Sequence, residues 1–473
     1  MLPLSVIIPT HNRADLLDKT LHSLTYQSKT DFPIILVDHG STDDTEAVYR
    51  KYKDRLRVSY YKIPREGYAP AVARDFGVKK IETPLLVFLD CGTVVPTRYI
   101  EAHMAFHHRY TNYVGIGLRH GYRDLGTGSQ YILESAESYG DLAPLLGQKG
   151  RDQAEAEIPL HDVRTGIDLE NACMPWYFGW TTNLSLPKEA YLSAGGFNLE
   201  LKGWGYEDID LCYKLYKQGL KFAFVQDGWS IELPQSRLPY KERLENGRDN
   251  MFHCYQRQRS LALESLLLAV GLLRKAIAAY RALPTTSEET FSAVAGEIRT
   301  HFQYFQQAED LFRYLTKVGQ ERVACPPIPD RVRSQLTQPT LFIGGTGREA
   351  EDYDYLTLID ENYSSTPSVW SCCGILIPLP DQSLGTVIVS DIWKRLDWTP
   401  SYAFALPGVS LLEFLISEIQ RAAKKAVFLD SLPASPDCPG VSVETLESLC
   451  KKYGLPFEIV SLSQPVGAKS SVS

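Results

Sequence analysis

Pro33-Ile34-Ile35-Leu36-Val37-Asp38-His39-Gly40-Ser41-Thr42-Asp43 decides how the amino-terminal half of the chain is read. An unbroken apolar run ends in an acid, a glycine and three residues that favour helix starts. A run without alternation fits a strand buried on both faces, and Ser41, Thr42 and Asp43 fit the cap of a following helix over Asp43 to Tyr52. The same unit recurs on either side. Ser5-Val6-Ile7-Ile8-Pro9 reads as a buried strand, followed by a helix with Leu16, Leu17, Leu21 and Leu24 on its apolar face and Asn12 as a candidate cap. Val58 to Tyr61 reads as a third strand and Ala69 to Lys80 as a helix. Leu85-Leu86-Val87-Phe88-Leu89-Asp90 is a fourth strand, again ending in an acid. Buried strands alternating with helices indicate an α/β fold with a mainly parallel, Rossmann-like sheet covered on both faces. Ligands of such sheets lie beyond the carboxyl ends of the strands, where Asp38 and Asp90 fall.

Outward from this core the pattern changes. Residues 120–175 are irregular and rich in Gly, Asp and Tyr, as in an insertion or lid. Order returns from Thr181 to Asp227. Residues 240–320 carry a helical period, broken at Leu283-Pro284, and Cys325-Pro326-Pro327-Ile328-Pro329 reads as a linker before a second strand pattern. The expected domains are therefore 1–235, a helical extension over 236–334, and a smaller α/β domain over 335–473.

Composition narrows the function. Of 473 residues, 44% are hydrophobic and 22% charged, which excludes a disordered or collagen-like chain. The net charge of −8 offers no footprint for nucleic acid. The most apolar stretch, Leu261 to Leu273, is short for a bilayer and contains Glu264, so no membrane span is expected. The nine cysteines form no CxxC pair, which fits reduced thiols in the cytoplasm and gives no zinc site.

Several residues carry chemistry. Asp38 can accept from a base N–H or a ribose hydroxyl, although its neighbours also serve as plain helix caps. Asp90 at the end of a buried strand calls for a metal or ligand partner, because an unpaired buried carboxylate is costly. Arg74, on the helix before that strand, can hold a phosphate bidentately. In Gly203-Trp204-Gly205-Tyr206-Glu207-Asp208 the glycines let a loop press Trp204 onto a ligand, and the two acids open a helix bearing Leu211 and Leu215. Acids in a first helical turn also simply suit the helix dipole. His103, His107 and His108 read as exposed or packed rather than metal-binding, and Cys91 as a small filler.

The segments Ser5 to Arg13, Val37 to Asp43, Gly67 to Gly77 and Phe88-Leu89-Asp90 resemble family 2 glycosyltransferases of the GT-A fold. Gly195-Gly196-Phe197 to Asp208 resembles the acceptor block shared with β1,4-galactosyltransferases and bacterial chondroitin-type polymerases. The resemblance spans residues 4–235. It implies an inverting hexosyl transfer from a UDP-sugar donor to a hydroxyl of a saccharide or natural-product acceptor, and a growing polysaccharide, a peptide or a small natural product such as a cyclitol or aminoglycoside all stay open as that acceptor. Pro9, Thr10 and Asn12 would line the nucleotide site, Asp38 would bind uracil, and Arg74 would approach the diphosphate. Asp90 would belong to the metal- and ribose-holding DxD element, and Trp204 would wall the acceptor and donor sugar. Asp208 would be the base and Glu207 an acceptor ligand. Three departures stand out. DxD reads Asp90-Cys91-Gly92, the usual second acid of the nucleotide motif is His39, and Glu232 takes the place of a metal-binding histidine. Asp90 and Glu232 are the expected ligands of Mg²⁺ or Mn²⁺, with metal-independent transfer and weakened catalysis as the open alternatives.

Beyond residue 335, Ile343-Gly344-Gly345-Thr346-Gly347 and a strand ending in Asp360 resemble a class I S-adenosylmethionine-dependent methyltransferase, with Asp360 in the ribose-binding place. The spacing from Gly347 to Asp360 is short for a helix plus a strand. The expectation is a degenerate domain serving packing, homo-oligomer formation or acceptor docking, without S-adenosylmethionine. The open alternatives are a bifunctional enzyme and a non-catalytic sugar-nucleotide or glycan binder.

Overall fold

The computed structural model describes residues 2–65, 67, 70–121, 162, 164–233, 240–269, 301–320, 328–345, 352–360, 365–396, 410–430 and 440–462. The chain divides into two compact units, Met1–Asn250 and Met251–Ser473. Most of the insertion expected over 120–175, the Leu283-Pro284 break and all but Ile328 and Pro329 of the 325–329 linker lie outside the described residues.

In the first unit the strands β1 (Leu4–Thr10), β2 (Ile34–His39), β3 (Val58–Ile63) and β4 (Leu85–Leu89) are parallel, with β1 central between β2 and β4. β5 (Thr93–Val94), β6 (Tyr113–Ile116), β7 (Arg119–Gly121), β8 (Asn183–Pro187), β9 (Lys221–Phe224) and β10 (Ser230–Glu232) follow. The main sheet runs β3-β2-β1-β4-β8-β6-β9, and β8 is antiparallel to both β4 and β6. A small sheet, β5-β10-β7, stands beyond the end of β4.

Alternation along β1 explains the two covered faces. Leu4, Val6 and Ile8 join Leu17, Leu21 and Leu24 of α1 (Ala14–Leu24) and Tyr52 of α2 (Thr45–Tyr52) in one core, each large apolar side chain contributing roughly 1.5–3 kcal/mol on burial. Ile7 faces α3 (Pro70–Val78) on the other side. There Gly77 is required, since a Cβ would stand 2.6 Å from Ile7 Cγ2. The helices α4 (Tyr99–Arg109), α5 (Lys188–Ser193), α6 (Glu207–Lys217) and α7 (Tyr240–Gln258) complete the described helices up to residue 258.

Asn12 does not cap α1. Its φ is +50°, its Oδ1 accepts from the Thr42 N–H at 2.7 Å, and its own N–H donates to Ser41 Oγ at 2.9 Å. The Ala14 N–H at the start of α1 is taken by Asp43 Oδ2, while Asp43 Oδ1 accepts from the Thr45 N–H and hydroxyl. A cap on one helix is thus supplied by the loop after the neighbouring strand. His103 and His107 are packed as expected: both ring systems meet the Ser185 hydroxyl, at 2.8 and 2.9 Å, behind β8.

In the second unit β11 (Thr340–Ile343), β12 (Tyr355–Thr357), β13 (Val369–Trp370), β14 (Leu384–Val389), β15 (Ala423–Asp430) and β16 (Phe457–Ser461) form one sheet ordered β13-β12-β11-β14-β15-β16. Every pairing in it is parallel. β12 stops at Thr357, short of Asp360. The glycine turn after β11 is tied to this strand: the Gly344 N–H donates to Thr357 Oγ1 and the Gly345 N–H to the Thr357 carbonyl, both at 3.0 Å. Glu264, in the 261–269 helix, is buried and accepts from the N–H groups of Cys373 and Leu376.

Candidate active site

The carboxyl ends of β1, β2 and β4 meet as the sequence implies. Thr10, ending β1, donates its hydroxyl to Cys91 Sγ at 3.5 Å, which ties β1 to the turn after β4. Pro9 is half-buried, Thr10 buried and Asn12 exposed at the rim. Asp38 differs in emphasis from the expectation. Its oxygens hold the Ser41 N–H at 2.7 Å and the Tyr60 hydroxyl at 2.6 Å, and only 1% of its side chain is exposed. It shapes the 38–42 turn more than it faces an open crevice. Burial outweighs the opposing pull of the Asp38 charge, lowers the pKa of neighbouring His39 and favours its neutral form.

Asp90 follows β4 and is gripped from two directions. Arg74 Nη2 donates to its Oδ1 at 2.7 Å, and the Thr182 hydroxyl donates to its Oδ2 at 3.2 Å. Burial opposes ionisation of Asp90, but the Arg74 charge and hydrogen bond outweigh it and hold the carboxyl below the usual range. Arg74 is almost fully buried and does not lie open to solvent. Its Nη1 stands 3.5 Å from Glu207 Oε1, so one guanidinium joins the end of β4 to the start of α6.

The loop before α6 has the character expected of a functional site. Gly203, Gly205 and Tyr206 all have φ in the left-handed range, at +71°, +98° and +72°. Only the glycines do so without strain. Trp204 is 37% exposed at the tip. Asp208 follows in the first turn of α6, and its Oδ1 accepts from the Ile209 N–H. Burial first, and the Glu207 charge second, push the Asp208 carboxyl up to about 7 against the opposing pull of Arg74. A carboxylate so placed is a stronger proton acceptor than an ordinary one.

Glu232 arrives from β10. It lies opposite Thr93 in the antiparallel β5–β10 pair, and the Leu233 N–H donates to the Gly92 carbonyl. The acid missing from the Asp90-Cys91-Gly92 turn is thereby matched by one on the adjoining strand. Glu232 Oε2 accepts from Arg119 Nη1 at 2.5 Å. Gly92 itself has φ +91°, and a Cβ there would stand 3.3 Å from Leu16, so the backbone does not favour an acid at that position. Among the described residues no three His, Cys, Asp or Glu side chains converge as a cage for a metal. The residues that could hold a divalent cation are Asp90 and Glu232, each of which here carries an arginine, Arg74 and Arg119 respectively.

Sequence reading missed Arg119, Asp162, Arg164 and Thr182. Asp162 accepts from the Arg119 N–H and pairs with Arg164, and Trp180 lies under both guanidinium groups. Asp162 and Arg164 are near neighbours, but Arg119–Asp162 and Thr182–Asp90 join segments 43 and 92 positions apart, which no spacing signals.

Residues 5–155 match the family described as glycosyl transferase family 2, and residues 171–241 match the N-terminal domain of galactosyltransferase. The chain is 29% identical over 424 residues to validoxylamine A glucosyltransferase of Streptomyces hygroscopicus subsp. jinggangensis, covering 83% of this chain and 91% of that protein. It is 28% identical over 287 residues to chondroitin synthase of Escherichia coli, covering 51% and 40%. A solved structure of S. aureus TarS in complex with UDP-GlcNAc aligns at a TM-score of 0.41 and 17% identity, covering 70% of this chain and 83% of that one. The chain is a glycosyltransferase. Its amino-terminal domain is of glycosyltransferase family 2, and the galactosyltransferase-type block follows it.

Proposed function

We propose that this glycosyltransferase inverts the anomeric centre of a UDP-sugar while transferring the sugar to a hydroxyl of a cyclitol-type or saccharide acceptor. The observation that carries the reading is geometric: Asp208 opens α6 next to Glu207, which Arg74 ties to Asp90 at the end of β4. Two relatives that align over most of both chains bear the name validoxylamine A glucosyltransferase, which supports glucose as donor sugar and a cyclitol as acceptor.

In the proposed reaction Asp208 takes the proton of the acceptor hydroxyl as that oxygen forms its bond to the anomeric carbon. The bond from that carbon to the diphosphate oxygen breaks, and UDP leaves with the electron pair. Attack opposite the leaving group inverts the centre. Glu207 keeps one carboxylate oxygen on Arg74 and presents the other to an acceptor hydroxyl. Trp204 provides the wall against which the sugar stacks. Pro9, Thr10 and Asn12 border the nucleotide, and Asp38 holds the turn that receives the uracil. Arg74 fixes Asp90 at the diphosphate end. Asp90 and Glu232 are the residues that would hold Mg²⁺ or Mn²⁺, which when bound offsets the charge developing on the leaving diphosphate. Among the described residues the buried thiols Cys91, Cys212, Cys254, Cys372, Cys373 and Cys450 support a reducing, cytoplasmic setting.

The experiment is incubation with UDP-glucose and validoxylamine A, with the product's anomeric configuration read by NMR. A β-linked glucoside from the α-linked donor is expected. An α-linked product contradicts inversion, and absence of product with UDP-glucose and every other UDP-sugar tried contradicts the donor class.

A further inference from the structure

The loop that carries Trp204 is fastened from outside the segments that the two families match. Asn250, on α7, is 6% exposed. Its Oδ1 accepts from the Lys202 N–H at 3.2 Å, and its Nδ2 donates to the carbonyls of Lys202 and Gly205 at 3.0 and 2.8 Å. A primary amide alone among side chains of this size supplies one acceptor and two donors in this arrangement. The same face of α7 is moulded to the loop. Asn246 lies so close to Gly203 that a Cβ there would meet its Nδ2 at 2.6 Å. A Cβ on Gly247 would stand only 3.5 Å from the Tyr206 ring.

The need for such a clasp follows from the backbone. Tyr206 at φ +72° is disfavoured by about 1–2 kcal/mol relative to an ordinary conformation, so its surroundings must hold it there. Tyr206 is the residue from which α6 starts, and its conformation sets where Glu207 and Asp208 emerge. Trp204 lies between the two carbonyls that Asn250 grips.

We propose that Asn250 is a positioning residue for sugar transfer: it locks the Lys202–Tyr206 loop in the strained form that aims Trp204 and starts α6 at Asp208. This rests on the reading above that Trp204 and Asp208 face the acceptor. Asn250 touches neither substrate; it acts through the loop.

The test compares Asn250→Ala and Asn250→Asp with the wild type, Trp204→Ala and Asp208→Asn, using UDP, UDP-glucose and validoxylamine A. In Asn250→Ala the acceptor KM is expected to rise about tenfold and kcat to fall about tenfold, the scale of losing buried hydrogen bonds that fix a site. UDP affinity by calorimetry is expected to stay within about twofold of the wild type, on the same reasoning. Asn250→Asp keeps the acceptor for Lys202 but sets a buried carboxylate oxygen against the carbonyls of Lys202 and Gly205, so its loss is expected to equal or exceed that of Asn250→Ala. Deuterium uptake over residues 202–206 in the UDP complex is expected to rise in Asn250→Ala. Wild-type kinetics with unchanged uptake overturns the proposal. Loss of UDP binding together with turnover also overturns it, by assigning Asn250 to the fold at large. Normal transfer in Trp204→Ala and Asp208→Asn, or no transfer to validoxylamine A by the wild type, defeats the acceptor reading instead. Deuterium uptake then decides the clasp alone.

Discussion

Arg74 donates to Asp90 across 2.7 Å, and the two residues come from opposite ends of one strand–helix unit: Arg74 from α3 and Asp90 from the turn after β4. The same guanidinium reaches Glu207 at the start of α6. A charge that sequence reading assigns to the diphosphate is therefore already holding the two halves of the site together.

Replacing Arg74 by Met leaves the half-buried Asp90 and the buried Glu207 without the guanidinium that joins them. Removing one partner of a buried pair typically costs about 3–5 kcal/mol. Urea unfolding is expected to show a loss of that size, and turnover is expected to fall by more than about 100-fold. Arg74→Lys keeps the charge but cannot fork to both acids, so an intermediate loss is expected. Full stability and turnover in Arg74→Met would show that the bridge contributes nothing.

The Asp208 base must be unprotonated to work. Because its carboxyl is pushed up to about 7, kcat is expected to rise with pH through that value and level off above it. A carboxyl at its ordinary value would give a flat profile over the same range. Measuring kcat at saturating substrates from pH 5.5 to about 8.5 checks this.

His103 and His107 give a stability prediction of definite sign. Burial lowers the first to about 3 and the second to about 4. The unfolded chain, with histidines near 6.5, binds protons that the folded chain does not, so stability falls as pH drops through about 6.5 towards those folded values. The contribution is fully present above the unfolded value. Urea midpoints measured between about pH 7.5 and 5 should decline, and His103→Gln should flatten the slope. An unchanged slope in that variant would place the pH dependence elsewhere.

Gly92 and Glu232 address the altered metal element. Glu232→Gln is expected to raise the Mn²⁺ concentration for half-maximal turnover by about tenfold or more, as ligand-sphere changes commonly do. Restoring the family's acid with Gly92→Asp is not expected to help, because φ +91° and the Leu16 contact oppose a side chain there. Turnover indifferent to Mn²⁺ and to EDTA would remove Asp90 and Glu232 from any metal role.

Most of this architecture was legible in the residues because it rests on local pattern. Ile34 to Val37 and Leu85 to Leu89 are buried without interruption, and parallel strands covered on both faces demand that. That Glu207 and Asp208 open a helix was legible because glycines and Trp204 precede them as a loop and Leu211 and Leu215 follow at helical spacing. Asn12 was misread as a cap: a helix-capping side chain and a cross-loop acceptor look alike in sequence, and Asp43 from the next loop took the cap instead. Arg119, Thr182 and Asn250 were not legible at all. Their partners lie 113, 92 and 48 positions away, and no periodicity encodes such distances.

The most direct test is Asp208→Asn, assayed for glucose transfer from UDP-glucose alongside calorimetric titration with UDP. Transfer is expected to fall by at least about 1,000-fold, with UDP bound as tightly as by the wild type. Near-normal transfer in this variant would contradict the account at its centre.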